Sequence, residues 1–517
     1  MSTTTAVPAP SHDSSSKERW LALVAIIVGA FVAVLNNSLI NVAIPSLTTE
    51  LGSTQSTIQW VLTGYMLASG VIVPIVGFME ERIGYKKFLL VALGVFTIGT
   101  VLCAVAWNDT SLIAARIITG LGGGVIGPLS MTVIYKIMPR DQISVALSLW
   151  GVSAMVAPAI GPTLSGYLIE WFNWRFLFII CVPIGAIAFI AVWVLLKEPK
   201  KQQAKPFDAL GFFLAATFAG TLLYALSSGQ KEGWGSFEIV FLFFISFWSL
   251  VFLIFVEANT ENPVIDLSLF KNFTFMVSNI ISSLVMVGLM GAMFILPLFL
   301  QNIQKLGPIN TGLLMMPQAI CMAVTMPIAG KLFNKTGPIP LGIIGLTLMA
   351  TTTYKLAFIT PETMHSWMIP VLMLRGIGTG LCMMPISTAG MNAVAPHLVG
   401  KASGLSNLMR SISSSMCIAV FTLIMQQRTA LHLQEISGSI PIEKAQEAQL
   451  LYGSSWNSSL SSIMQVQAAS RGMTDVFYIA SMTLFICIPL VLIFKRRKKP
   501  EKQITDTLNE KGDSNES

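Results

Sequence analysis

Three primary amides, Asn36, Asn37 and Asn41, interrupt a run that is otherwise almost wholly apolar, Leu35-Asn36-Asn37-Ser38-Leu39-Ile40-Asn41-Val42-Ala43-Ile44-Pro45. A buried amide without a hydrogen-bond partner is costly, so the cluster must face water or other polar groups. It marks an aqueous path or a binding site inside the membrane. Asn37 and Asn41 stand one helical turn apart on one face. Arg116, Arg375 and Arg410 form a second set, each inside an apolar stretch where charge is expensive and usually functional. The plainer reading of each is a snorkelling or carbonyl-bonded structural arginine. No carboxylate lies clearly inside an apolar window: Glu80, Glu81, Asp141, Glu170, Asp208, Glu257 and Asp475 fall at or near the ends. Proton chemistry within a membrane ordinarily uses a buried carboxyl. Asn36 cannot titrate.

Other chemistries lack their residues. There is no G-x-x-x-x-G-K-[ST] phosphate loop, and no nucleophile–base set that would suggest an enzyme. Four histidines are unclustered, and Cys103, Cys181, Cys321, Cys382, Cys417 and Cys487 sit in apolar segments without C-x-x-C spacing. They read as small buried hydrophobes, and neither a metal nor a cofactor is expected.

The elements that must position these residues are membrane helices. In 517 residues, 54% are hydrophobic and only 11% charged, far below the roughly 25% of a soluble protein. Fourteen apolar windows begin near Leu21, Ile58, Phe88, Leu112, Ile143, Phe176, Leu210, Ile239, Phe275, Gly312, Leu341, Trp367, Ala402 and Val476. Each is long enough to cross a hydrocarbon core of about 30 Å. The first continues far beyond a signal-peptide core and reads as a retained span. An even count puts both termini on one side, and Lys and Arg crowd that side, which makes it cytoplasmic. The net charge of +7 then reflects topology and anionic lipid, not nucleic acid.

An eight-residue pattern recurs. Gly77-Phe78-Met79-Glu80-Glu81-Arg82-Ile83-Gly84 follows the second window, and Gly330-Lys331-Leu332-Phe333-Asn334-Lys335-Thr336-Gly337 follows the tenth. Arg116, Gly120 and Pro128 are loosely echoed by Arg375, Gly380 and Pro385. Each second copy comes eight helices later. The expected division is therefore a tail (1–18), a six-helix bundle (19–196), a linker with an inserted pair (197–273), a second bundle (274–495) and a basic tail (496–517). The Ser/Gln-rich segment from about Gln426 to Thr474 is expected as a partly helical external loop or hairpin.

The first-helix run resembles L-D-x-T-I-V-N-V-A-L-P of the 14-helix drug:proton antiporters (EmrB/QacA type) of the major facilitator superfamily, with Asn36 at the family's carboxylate position. In that respect it is similar to lincomycin-resistance-type members. Gly77, Glu81, Arg82, Gly84, Lys86 and Lys87 match the loop signature G-x-L-x-D-R-x-G-R-K, with Glu81 for Asp and Tyr85 for Arg. Pro158, Gly161, Pro162 and Gly166 resemble the antiporter signature around G-P-x-x-G-G, with Ser165 replacing the first of the final glycines. Trp174-Arg175-Phe176, Asn262-Pro263-Val264-Ile265-Asp266-Leu267 and Pro297-Leu298-Phe299 add the family's order of short motifs.

The resemblance implies an all-α major facilitator fold in the cell membrane, a monomer exporting amphipathic small molecules, with protons as the coupling partner. A dedicated exporter of one metabolite, peptide or osmolyte is the alternative. Coupling falls to Arg116, at the position of the family's fourth-helix arginine, or to Glu81 or Asp141. Gate and packing roles fall to Gly77, Glu81, Arg82, Gly84, Lys86, Pro158, Gly161, Pro162 and Gly166, and in the second copy to Gly330, Asn334 and Gly337. Substrate contacts are expected from Asn36, Asn37, Asn41, Trp60, Tyr65, Asn279, Met290 and Asn407, since neutral amides, aromatics and Met give adaptable contact.

Overall fold

The computed structural model describes residues 16–197, 208–260, 263–438 and 454–493. Among them every regular element is a helix. Apolar runs without water can satisfy their backbone only within a helix or a closed barrel, and these runs are too long for strands. Six spans form the first bundle: α1 (Ser16–Glu50), α2 (Gln55–Ile72) continued by α3 (Val76–Ile83), α4 (Tyr85–Ala104), α5 (Asp109–Ile137), α6 (Ile143–Trp171), and α7 (Phe176–Ile179) with α8 (Cys181–Leu195). Then come α9 (Ala209–Glu232) and α10 (Phe237–Asn259). The second bundle holds α11 (Phe273–Leu298), α12 (Pro308–Thr336), α13 (Pro338–Leu356), α14 (His365–Asn392), α15 (Val399–Gly438) and α16 (Ser454–Leu492). Counting bent α6 as one span gives fourteen candidate crossings, at the positions expected from the sequence.

α6 and α12 pack together along their length, while α3 and α5 meet α15. The α6 contact begins at Ser144 and Ser148 against Gly330 and continues at Gly151, where a methyl group would sit 2.6 Å from Met384 Cε and 2.8 Å from Met326 Cε. It ends with Thr163 against Gly312 and Gly166 against Ile309. Thioethers at the middle of this seam make it soft.

The inserted pair is asymmetric. α9 packs on both α2 and α15, with Ala219, Val73 and Leu408 in one buried cluster, so it bridges the two bundles. α10 packs mainly on α9 and exposes Phe241, Phe244, Phe247, Phe252 and Phe255. A helix apolar on nearly all sides belongs against lipid.

One boundary differs from expectation. The last helix starts at Ser454 rather than near Val476, and α15 runs to Gly438. At about 1.5 Å per residue, 40-residue α15 is far longer than the bilayer core. The two helices hold each other beyond the expected span. A methyl group on Gly472 would lie 2.9 Å from Met425 O, and Asp475 accepts from Arg428 at 2.5 Å and lies 2.8 Å from His432 Nε2. Polar residues on the outer faces hid this pairing from a hydropathy reading. Residues 439–453 of the expected loop lie outside those described.

Candidate functional site

Two constellations stand out: a polar knot within the first bundle and a pair of contacts between the bundles at the end carrying Arg82, Lys136, Lys335 and Lys401.

The knot is centred on Arg116, which is fully buried on α5. Its Nη1 donates to Asn36 Oδ1 at 2.6 Å, Nη2 to Asn37 Oδ1 at 3.2 Å, and Nε to Val61 O at 3.0 Å. The guanidinium also lies 4.3 Å over the Tyr65 ring. A buried cation needs acceptors or a counter-charge. Here it has three neutral oxygens and an aromatic face, with no carboxylate in contact among the described residues. The side-chain carbonyls of Asn36 and Asn37, both expected as substrate contacts, accept hydrogen bonds from Arg116. Tyr65 is likewise buried beneath that arginine, and its hydroxyl reaches Ala33 O at 3.5 Å. Asn41 lies on α1, but its side chain is outside those described.

Arg375 is the second-bundle counterpart and is also fully buried. It donates to Gly288 O at 2.9 Å and to Thr353 Oγ1 at 3.3 Å, so α11 supplies backbone carbonyl where α1 supplies amides.

α6 packs on α1 beside the amide run. Segments Ile143–Pro158 and Ile160–Trp171 meet at 42°. Proline removes a ladder hydrogen bond, and the carbonyl of Pro158 accepts from Ser38 Oγ at 3.3 Å. Gly161 leaves the room that the Ser38 side chain occupies, so α1 and α6 touch beside the amide run. On the far side, Gly166 admits Ile309 of α12.

The contacts between bundles use the repeated pattern. A methyl group on Gly77 would lie 2.7 Å from the backbone nitrogen of Lys401, so α3 meets the first turn of α15 almost backbone to backbone. Glu80, 4% exposed, is ion-paired with Lys136 of α5. Its Oε2 would be 2.8 Å from a methyl group on Gly400. Its charge therefore faces the positive end of α15's backbone dipole. Glu81 was expected to take this place; Glu80 takes it. The two differ by about 100° around the helix axis. Lys401 Nζ turns away, donating to Pro263 O at 2.8 Å.

In the second copy Gly330 packs against Ser144 O, where a methyl group would be 2.6 Å away. Asn334 Nδ2 donates to Asp141 O at 2.7 Å, and its Oδ1 accepts from Ser144 Oγ at 3.1 Å. Asp141 thus contributes its backbone here. Gly84 and Gly337 close both copies with φ of +86° and +78°, a conformation that disfavours any side chain. Arg82 is exposed and Lys86 half-buried at the same end.

The other expected substrate residues are scattered. Trp60 stacks on Tyr224 of α9 at 5.5 Å. Met290 packs within the second bundle, and Asn407 Nδ2 donates to Ser403 O at 2.8 Å. Asn279 lines a polar cavity among α11, α14 and α15 with Ser282, Ser387, Ser406 and Arg410. Those serines were not foreseen. Serine is unremarkable in a membrane helix, and only the three-helix contact brings them together.

The family model described as Major Facilitator Superfamily matches this chain over residues 26–417. The chain belongs to the major facilitator superfamily. The MFS-type transporter YhcA of Bacillus subtilis (strain 168) is 37% identical over 429 residues, covering 83% of this chain and 81% of the relative. Multidrug export protein EmrB of Escherichia coli (strain K12) is 28% identical, covering 91% and 94%. The solved proton:xylose symporter XylE superposes with a TM-score of 0.58 at 12% identity, covering 92% of this chain and 97% of that one, which speaks for the fold alone. This facilitator-superfamily chain is a multi-pass membrane transporter, not an enzyme.

Proposed function

We propose that this transporter exports amphipathic small molecules from the cell by alternating access, driven by proton antiport. The observation that carries the reading is the double contact at the basic end. Gly77 and Glu80 against α15, and Gly330 and Asn334 against α6, join the bundles at pseudo-equivalent places. Both rest on few polar bonds and close glycine contacts, which can separate without unfolding either bundle. The clustered Lys and Arg favour a cytoplasmic position for this end, and on that reading the contact serves as the inner gate. Met326 and Met384 on the seam favour a site that adapts to varied apolar shapes. The names of relatives such as EmrB support multidrug export as the direction.

Asn36 removes the acid that the family uses in the first helix, so coupling belongs at the gate. Protonating Glu80 would cancel the anion facing both Lys136 and α15, loosening the contact. Glu81 and Asp141 sit beside the two contacts, and Arg116 serves as the fixed charge of the first bundle.

The test is dye efflux in everted membrane vesicles with an imposed pH gradient. Uptake of ethidium or a lincosamide that collapses when the gradient is dissipated is expected. Uptake indifferent to the gradient would sink the proton coupling, and no uptake across a broad panel would sink export of amphipathic compounds.

A further inference from the structure

Two acids near the basic end belong to neither contact between the bundles. Asp208 precedes α9 and is half-buried; Glu257 lies in the last turn of α10 and is 4% exposed. Each has one oxygen engaged. Asp208 Oδ1 caps α9 by accepting from Gly211 N at 2.8 Å, and Glu257 Oε1 accepts from Ile265 N at 3.1 Å. The remaining oxygens, Asp208 Oδ2 and Glu257 Oε2, are buried and meet no donor among the described residues. The two carboxyl groups meet at Gly211, where a methyl group would overlap Asp208 Oδ2 and lie 2.9 Å from Glu257 Oε1. Asp208 and Lys401 are the charged groups that face Glu257 among the described residues. Lys401, 8% exposed, gives its ammonium to Pro263 O at 2.8 Å rather than to either acid.

A buried carboxylate oxygen without a donor is costly, and two carboxylates sharing one site also repel. One proton relieves both costs, because it neutralises one group and becomes a donor to the other. The nearby lysine is spent on a neutral carbonyl, as expected where the pair carries only one negative charge. The pair is also tied to the gate. Glu257 holds the linker at Ile265, and Lys401 holds it two residues earlier at Pro263. Lys401 follows Gly400, the residue that Glu80 faces in the first turn of α15.

We propose that Asp208 and Glu257 form a proton-binding site, sharing one proton at neutral pH, and that this proton controls the linker's hold on Lys401. Release of the proton to water leaves two anions, which draw the Lys401 ammonium from Pro263 O and free the linker from the gate. The proposal rests on the antiport reading for its role in transport, but it is tested without substrate. Purified protein in lipid nanodiscs is followed by infrared difference spectroscopy, in which the C=O stretch of a protonated carboxyl stands apart from carboxylate bands. At pH 7.5 the native protein should show a protonated carboxyl that Glu257→Gln removes while keeping an acceptor for Ile265 N. Asp208→Asn keeps an oxygen to cap α9 and should reduce that band at least threefold, since the anion that shares the proton is gone. The linker is read by maleimide labelling of Val264→Cys, a buried position, with Cys321→Ser as background. Labelling with and without Glu257→Gln should be equal at pH 6, and at least fivefold faster without it at pH 9. No band lost in Glu257→Gln overturns the site, and a full band in Asp208→Asn overturns the sharing. Equal labelling at pH 9 overturns control of the linker. The band and the labelling difference together with substrate transport that moves no protons would overturn the antiport reading and leave the site standing.

Discussion

Replacing Glu80 by Gln keeps the shape of the side chain and removes its charge. Lys136 belongs to the same bundle as Glu80, so their ion pair persists whether the bundles are together or apart. The term that depends on closure is the carboxylate facing the first turn of α15, where Oε2 stands over Gly400. A charge at a helix amino end contributes about 0.3–1 kcal/mol when exposed and up to about 2 kcal/mol when partly buried. Glu80 is 4% exposed, which places it towards the upper value. About 1.4 kcal/mol is tenfold in an equilibrium. Glu80→Gln should therefore raise the ratio of open to closed gate about tenfold.

Spin labels at Lys87→Cys on α4 and His397→Cys before α15 would read this directly. Both positions are exposed, and Cys321→Ser removes the native thiol that is not buried. The native protein should give mainly the short distance, and Glu80→Gln a new longer population. Adding Lys136→Gln should change the distribution little further, because its partner's charge is already gone. A Glu80→Gln distribution identical to the native one would refute the claim that this carboxylate holds the gate.

Gly77→Val should open the same gate more strongly, since its side chain would overlap the backbone of Lys401; the same pair of labels reads it. Asn334→Ala loses one bond in each direction and should cost the closed state about 1–3 kcal/mol, seen as faster thiol labelling at the basic end. Asn36→Ala leaves Arg116 without its 2.6 Å acceptor and should lower unfolding stability by about 1–3 kcal/mol in a thermal melt. Asn36→Asp supplies a counter-charge and should raise the melting temperature over native; a fall would show that the neutral knot is not short of an anion.

The fourteen spans were legible because apolar length is a property of sequence alone. The two copies of the eight-residue pattern were legible as contacts because glycines at fixed spacing record close backbone approach. Which acid faces α15 was not: Glu80 and Glu81 are adjacent in sequence but point in different directions once α3 is formed. The amides of α1 could be recognised as needing polar partners, but only packing chose Arg116 over solvent. For Trp60, Asn279, Met290 and Asn407 the helix could be named and the neighbour could not. The segment between α15 and α16 was expected as a partly helical loop or hairpin, but how far each helix extends was not legible, because polar outer faces look like loop when hydropathy is averaged over all faces.

Purified protein in proteoliposomes containing a trapped pH indicator tests the central claim most directly. With an outward-directed test of a single substrate, the account predicts that adding ethidium or a lincosamide moves protons in the opposite direction, in proportion to substrate carried, and that Glu80→Gln uncouples the two. Substrate movement without any proton flux in the native protein would contradict it.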